Sequence, residues 1–187
     1  MFTFLPGAGR GRGLGRSESK FSDGKADSMI GRERQLALMA EAIAQAQRGA
    51  VEGEVPVGAL VVSRGADGAD NVIVAAAHNR PIALNDPTAH AEMLALRQAA
   101  AVLGAYRLEG AALFVTLEPC VMCVGAMVHA RIAELYFGAR DEKAGALGSV
   151  YDIGRDGRLN HRIAVYGGLM APECAALLRD FFRSRRT

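Results

Sequence analysis

The 187-residue chain contains no tryptophan, six prolines and three cysteines, and it has no apolar run near the roughly 20 residues that a membrane helix needs. Its apolar stretches, such as residues 57–62, have the length of strands. The apolar opening of the chain stops at Gly7 with no basic residue before it, and it is too short for a secretory signal. We therefore expect neither a membrane span nor export.

Cysteine is scarce and unevenly spaced. Cys120 and Cys123 are three positions apart, and Cys174 stands alone. Three cysteines cannot form an even-numbered disulfide framework, so we expect a reducing compartment, which is the cytoplasm.

The sequence also lacks a strong excess of charge, with 22 basic and 20 acidic residues and a net charge of +2. Residues 1–28 hold five of the basic and three of the acidic side chains, so the rest of the chain is balanced. Any nucleic-acid surface must therefore come from local placement of arginines, not from an overall basic charge.

Residues 1–28 contain six of the 22 glycines and show no period of 2 or 3.6. We interpret them as an N-terminal extension that is disordered or not native, with residues 29–187 forming one domain. A native start at Met29 is an alternative, because a helical pattern follows it at once. A transit peptide is disfavoured by the acidic residues Glu18, Asp23 and Asp27.

The hydrophobic pattern predicts an α/β fold. Helices are predicted from Arg32 to about Arg48, ending at Gly49, over 90–104 with Thr88 as its cap, after Pro119 as first helical residue, and near the C-terminus. Strands are predicted at 57–63, 72–77, 112–117, 133–138 and 162–166, with 64–71 as a hairpin loop. Strands alternating with helices imply a mixed five-stranded sheet with helices on both faces.

Two short segments carry metal-binding chemistry: His90-Ala-Glu92, and Pro119-Cys120-x-x-Cys123 thirty residues later. Zinc binds neutral imidazole and thiolate, and a CxxC in the first turn of a helix lets both sulfurs face one point. Three protein ligands leave one tetrahedral position for water, which is typical of catalytic zinc. Glu92 can then shuttle the proton of that water, provided that His90 and Glu92 lie in an irregular first turn.

Other interpretations of the CxxC are a redox pair or half of a structural zinc knuckle. The sequence has no second CxxC, and a thioredoxin-like pair needs no HxE partner. His129 falls on a predicted helix and Cys174 on the apolar stripe of the last helix, so we expect both to be structural. These observations favour catalytic zinc.

The chain resembles the bacterial tRNA adenosine deaminases, members of the cytidine deaminase-like zinc deaminases, which carry H-x-E and P-C-x-x-C. The resemblance covers essentially residues 30–187. It rests on EVPVGA at 54–59, HNRPI at 78–82, DPTAHAE at 86–92, TLEPCVMC at 116–123, FGARD at 137–141, NHR at 160–162 and ECAALLRDFFR at 173–183.

The resemblance implies a three-layer α/β/α sandwich, generally a homodimer, that converts the wobble adenosine of a tRNA anticodon to inosine. One Zn²⁺ per subunit would be held by His90, Cys120 and Cys123, and Glu92 would relay the proton. The implied partner is the tRNA anticodon stem-loop, with no DNA and no membrane.

Further roles follow from the same resemblance, each beside a simpler alternative. Asn79 would hydrogen-bond the flipped nucleoside, or it is a turn asparagine. Val57 and Leu117 would form walls of the base pocket, or they are ordinary strand core. Asp141 would contact the neighbouring nucleotide, or it is a solvated loop acid.

The C-terminal segment, including Phe182 and Arg183, would meet the anticodon loop, although much of that helix must pack on the core. A rival function is deamination of a free base or nucleotide such as guanine or cytosine. An enzyme with such a small substrate does not need this basic, aromatic segment. A zinc-stabilised interaction module without turnover is the other alternative, and Glu92 argues against it.

Overall fold

The computed structural model describes residues 28–63, 71–154 and 156–186. The predicted extension, 1–28, lies outside the described residues except for Ser28, and the predicted hairpin loop, 64–71, does so except for Asn71. The elements are α1 (Arg32–Val51), β1 (Gly58–Ser63), β2 (Val72–His78), α2 (Pro81–Leu84), α3 (Ala91–Leu103), β3 (Ala112–Leu117), α4 (Val121–Ala130), β4 (Glu134–Ala139), β5 (Ala164–Gly167) and α5 (Ala171–Ser184).

The strands form one five-stranded sheet in the order β2-β1-β3-β4-β5. β1 pairs antiparallel with both β2 and β3, whereas β3–β4 and β4–β5 are parallel. The predicted mixed sheet is confirmed. No helix among the described residues is long and apolar enough to cross a membrane.

Both faces of the sheet are covered by helices. In β3, Leu113 and Val115 pack with residues of α3 and α4, whereas Ala112 and Phe114 pack with residues of α1 and α5. Successive strand residues point to opposite faces, so a strand covered on both faces is apolar at every position. This explains the continuous apolar runs of β1, β3 and β4, and it confirms the three-layer α/β/α sandwich.

Several local predictions were wrong. Helix α1 continues past Gly49 to Val51, and Gly49 packs against the His78 ring, where an added Cβ would lie 3.2 Å from Cδ2. Thr88 does not cap α3: its hydroxyl donates to Asp86, 2.7 Å away, and His90 is the residue that precedes the helix.

Other boundaries also moved. Pro119 lies outside α4, because Cys120 has extended backbone and is itself the N-cap residue. The fourth strand begins one residue later than predicted and the fifth two residues later. Helix α2, of four residues, was not predicted; Pro81 begins it and Asn85 ends it in the left-handed conformation.

A candidate zinc site between two helix N-termini

Two helices begin at the same point beside the sheet. His90 is the N-cap residue of α3, and Cys120 is the N-cap residue of α4, with Cys123 in its first turn. Helix N-termini carry partial positive charge, which stabilises thiolates and carboxylates placed there. The position of Cys120 at such a terminus therefore favours the thiolate that a zinc ion needs.

The three side chains fit a zinc ion. His90 Nδ1 lies 3.8 Å from Cys120 Sγ and 3.6 Å from Cys123 Sγ, and the three ligand atoms lie within 4.8 Å of one another. Zinc bonds of about 2.3 Å to sulfur and 2.0 Å to nitrogen in a tetrahedron put these atoms about 3.6 Å apart. Among the described residues, this is the group of three metal-ligand side chains that the fold assembles.

The thiols and the imidazole interact strongly. Contact with Cys123, aided by His90, lowers the pKa of Cys120 to about 3. The hydrogen bond with Cys120 and burial raise the pKa of Cys123, and the hydrogen bond with Cys120 raises the pKa of His90. The neighbours of Cys120 therefore favour its ionisation, whereas those of Cys123 disfavour it.

Glu92 lies in the first turn of α3 and is 3% exposed. Burial raises its pKa above the ordinary value for glutamate. The sequence predicted that His90 and Glu92 share a site only if the turn is irregular, and His90 meets that condition with φ of −68° and ψ of 151°.

A cleft of about 270 Å³ opens onto these side chains. It brings together seven of the residues predicted for the site, namely Val57, Asn79, His90, Glu92, Leu117, Cys120 and Asp141. Cys123 is fully buried next to the cleft. Four further lining residues were not predicted: Val55, Pro81, Glu118 and Ala144.

Asn79 lies at the wall of the cleft and also bonds the start of α3. It follows β2 directly and is 8% exposed, and its Oδ1 accepts a hydrogen bond from the backbone N–H of Ala91 at 2.9 Å. That bond satisfies one free donor at the start of α3. It also fixes the amide at the wall of the cleft.

Asp141 is partly buried and caps its own turn. Its Oδ1 accepts hydrogen bonds from the backbone N–H groups of Lys143, at 2.9 Å, and Ala144, at 3.2 Å. This is an Asx-type turn. The carboxylate is therefore held at the edge of the cleft instead of moving freely in solvent.

Phe182 and Arg183 do not line the cleft. They lie near the end of α5, on the other face of the sheet, where Phe182 is 45% exposed and Arg183 pairs with Asp180 at 2.8 Å. The C-terminal tail, residues 182–186, nevertheless contacts the α1–β1 loop, because Arg185 donates to the Gly53 carbonyl at 2.7 Å. Val55 and Val57 of the cleft follow Gly53 closely.

The predicted structural role of Cys174 is confirmed, since its side chain is 1% exposed in the core under α5. Glu118 lines the cleft but was not among the predicted site residues. A glutamate placed directly after an apolar strand and before the ligand segment is costly to bury, and it is 2% exposed. The signal that the sequence offered was the position of this glutamate, directly after an apolar strand and before the ligand segment.

Comparison with known proteins agrees with this geometry. Residues 32–139, more than half of the chain, match the cytidine and deoxycytidylate deaminase zinc-binding region. The chain is 45% identical over 149 residues to the tRNA-specific adenosine deaminase of Haemophilus influenzae, covering 80% of this chain and 83% of that protein. It is 43% identical over 148 residues to the tRNA-specific adenosine deaminase of Bacillus subtilis, covering 79% and 88%.

Solved structures give the same grouping. A structure from a study of A-to-I editing by tRNA:A34 deaminases at the wobble position of transfer RNA has a TM-score of 0.71 and 42% identity, covering 76% of this chain and 99% of that one. A guanine deaminase from Nitrosomonas europaea has a TM-score of 0.64 and 28% identity, covering 78% and 83%. The chain therefore belongs to the cytidine and deoxycytidylate deaminase family of zinc-dependent hydrolytic enzymes, with the tRNA-specific adenosine deaminases among its relatives.

Proposed function

We propose that this enzyme hydrolyses adenosine to inosine at the wobble position of a tRNA anticodon. The observation that carries the proposal is the buried carboxyl of Glu92 beside the His90, Cys120 and Cys123 cluster at a cleft. A structural zinc site has no need of a buried acid at its open side. The tRNA-specific adenosine deaminases at 41–45% identity support adenosine in tRNA as the substrate.

His90, Cys120 and Cys123 are the residues that would hold zinc. Zinc bound there supplies Lewis-acid chemistry, lowering the pKa of a coordinated water toward neutrality. Glu92 and Asn79, which lie beside this cluster at the cleft, would act on the water and on the base respectively.

Glu92 moves the protons of the hydrolysis. Its carboxylate accepts a proton from the attacking water and delivers it to the ring nitrogen N1 as oxygen bonds to carbon 6. It accepts the remaining proton of that oxygen and passes it to the amine as the carbon–nitrogen bond breaks. Adenosine and water give inosine and ammonia, and a positioned acid–base group of this kind contributes roughly 10² to 10⁴-fold to the rate.

The cleft suits a single base that has left its stack. Its volume of about 270 Å³ lies near the lower end of small-molecule sites, which is roughly 300 Å³. Val57 and Leu117 form apolar walls, and the amide nitrogen of Asn79 donates to the base, since its oxygen already accepts from Ala91. An anticodon loop is unpaired, which reduces the cost of extracting the base.

The rest of the RNA would run from the cleft toward the C-terminal tail. Asp141, at the edge of the cleft, would contact the adjacent nucleotide. Phe182 offers an exposed ring for stacking, and Arg183 offers a guanidinium for a phosphate. The contact between Arg185 and Gly53 supports a continuous surface between the tail and the cleft.

The same proposal covers organisation and location. We assign the activity to residues 29–187, acting in the cytoplasm as a homodimer. Cys120 and Cys123 hold zinc only as thiolates, and a reducing compartment keeps them available for it. Sedimentation velocity at several protein concentrations tests the homodimer.

The direct test is inosine formation in an unmodified anticodon stem-loop with adenosine at the wobble position. Free adenosine, guanine and cytosine are assayed beside it at equal zinc concentration. Conversion of the RNA alone is the expected result. Conversion of a free base with the RNA left intact would replace the proposed substrate by the rival one, to which the 28% identical guanine deaminase corresponds.

A further inference from the structure

Glu118 is a buried carboxylate outside the zinc and proton-transfer groups. It is 2% exposed and lies between β3 and the Pro119–Cys120 segment. Its Oε1 accepts hydrogen bonds from the backbone N–H groups of Leu147, at 2.9 Å, and Ser149, at 3.1 Å. Its Oε2 accepts from the backbone N–H of Asp141, at 3.3 Å, and from the Ser149 hydroxyl.

All four partners are donors, and they come from one segment, residues 141–149. A carboxylate is the side chain that accepts at both oxygens and donates at neither. Hydrogen bonds to an ionised acceptor are also stronger than those between neutral groups. The chemistry of the partners thus requires a glutamate rather than a glutamine at this position.

The same segment also contacts Pro119 and the zinc-ligand candidate Cys120 directly. The Ala146 N–H donates to the Pro119 carbonyl at 2.9 Å, and Gly145 forms a β-bridge with Cys120. A Cβ added at Gly145 would lie 2.5 Å from Glu118 Cδ and 2.6 Å from the Asp141 carbonyl oxygen. The backbone of the segment therefore lies as close to the carboxyl as glycine permits.

Residues 141–149 form one wall of the cleft. Asp141 and Ala144 line it, together with Val57 and Asn79 from other parts of the chain. The segment contains no helix or strand, so its position depends on its hydrogen bonds. Those that Glu118 accepts hold both of its ends, at Asp141 and at Leu147–Ser149.

We propose that Glu118 is a positioning residue that fixes residues 141–149 as a wall of the cleft and thereby sets how tightly the substrate binds. The effect on RNA rests on the proposed function. Glu118 takes no part in proton transfer, because its oxygens are occupied by the segment while Glu92 serves the reacting atoms. The two buried acids of the cleft therefore have separate tasks, one in chemistry and one in binding.

The test compares Glu118→Gln with two other variants. Ser149→Ala removes a single hydroxyl donor and leaves the carboxylate in place, so it provides a milder disturbance if Glu118→Gln folds poorly. Glu142→Gln is the matched control, since it makes the same Glu-to-Gln change within the segment that Glu118 holds. The Glu142 side chain is exposed and makes none of the hydrogen bonds described above.

The first measurement is hydrogen–deuterium exchange on the zinc-loaded proteins. Glu118→Gln places an amide NH₂ among N–H donors, so we expect exchange of peptides covering 141–149 to rise at least about tenfold. Peptides of α1 should be unchanged. Ser149→Ala should give a smaller rise and Glu142→Gln none. Unchanged exchange in Glu118→Gln overturns the proposal whatever the substrate is.

The second measurement is steady-state deamination of the stem-loop. We expect KM to rise about tenfold for Glu118→Gln and about threefold for Ser149→Ala, with kcat within about twofold of the parent enzyme and zinc content unchanged. A fall in kcat with loss of zinc would show that Glu118 acts through Cys120, and faster exchange with unchanged KM would show that the wall does not govern binding. Either result overturns the proposal.

A parent enzyme that forms no inosine in the stem-loop would instead overturn the proposed function. The inference about RNA binding would be rejected with it. The exchange comparison needs no substrate, so it still decides whether Glu118 holds the segment.

Discussion

Helices cover both faces of the sheet, but they meet the two faces in different ways. On one face, α3 and α4 begin beside the sheet and direct their N-termini at His90, Cys120 and Cys123. On the other face, Phe114 and Tyr166 stack on either side of Tyr136, with ring centroids 4.4 and 4.7 Å away. The first arrangement concentrates charge-stabilising backbone groups at one point, and the second fills space.

Buried acids show the same contrast. On the α1 and α5 face, Glu134 accepts hydrogen bonds from the Tyr136 hydroxyl, at 2.6 Å, and the Met29 N–H, at 2.9 Å. Glu92, on the α3 and α4 face, lies among His90 and the thiols at an open cleft. Each face holds a buried cysteine and a buried glutamate, so chemistry depends on what surrounds these residues and not on their type.

The largest effect is expected from exchanging the cysteines of the two faces for serine. Cys123→Ser removes a zinc ligand, so bound zinc should fall from about one per chain to below about 0.1, and deamination should fall with it. Cys174→Ser is the matched control on the other face and should keep both. Metal analysis after gel filtration measures this, and equal zinc content in the two variants would remove the distinction between the faces.

The glutamates provide the second comparison. Glu92→Gln should lower kcat by roughly 10² to 10⁴-fold with zinc retained, because the amide cannot relay protons. Glu134→Gln should keep kcat and lower the free energy of unfolding by about 1–3 kcal/mol, because its amide nitrogen cannot accept a hydrogen bond. Single-turnover assays and urea unfolding measure the two effects. Equal loss of kcat in both variants would argue for a structural role of Glu92.

Two glycines test how tightly the protein is packed at two different places, in β4 and in α4. A Cβ at Gly138 of β4 would lie 2.7 Å from the Thr116 carbonyl oxygen and would also collide with Cys174, so Gly138→Ala should cost about 1–3 kcal/mol of unfolding free energy. A Cβ at Gly125 of α4 meets no atom within 4 Å, so Gly125→Ala should stabilise the helix by about 0.5–1 kcal/mol. Chemical unfolding measures both. The same sign for the two variants would be inconsistent with this packing.

The smallest effect concerns RNA. Arg183→Gln should weaken binding of the stem-loop about two- to fivefold and reduce the slope of log affinity against log salt by about 0.7, which corresponds to one phosphate contact. Arg158→Gln is the control, since this exposed arginine pairs with Asp156 at 2.6 Å. Filter binding at three salt concentrations measures the slopes. An unchanged slope for Arg183→Gln would remove this residue from the proposed RNA surface.

Local patterns predicted most of the fold because the physical causes are themselves local. The β-branched runs of β1 and β3 specified strands, and the apolar stripe through Cys174 specified α5. The stripe is less covered than expected, since Cys174 is fully buried but Phe182 is exposed. Spacing along the chain cannot tell which end of an amphipathic helix leaves the core.

The candidate ligands were predictable because zinc chemistry restricts residue type and spacing. The caps were not, because they depend on neighbours distant in sequence. Thr88 matches a helix cap, yet its hydroxyl bonds Asp86, while Asn79 satisfies the first N–H of α3 from twelve residues away. Glu118 likewise depends on a segment about thirty residues further on.

The most direct test of the central claim is zinc K-edge X-ray absorption on the zinc-loaded enzyme. An open site made by His90, Cys120 and Cys123 predicts two sulfur donors at about 2.3 Å and two nitrogen or oxygen donors at about 2.0 Å. The oxygen donor should be replaced when a purine analogue with a strong zinc-binding group is added. Three sulfur donors, or a shell that no added ligand alters, would contradict an open catalytic site on this face of the sheet.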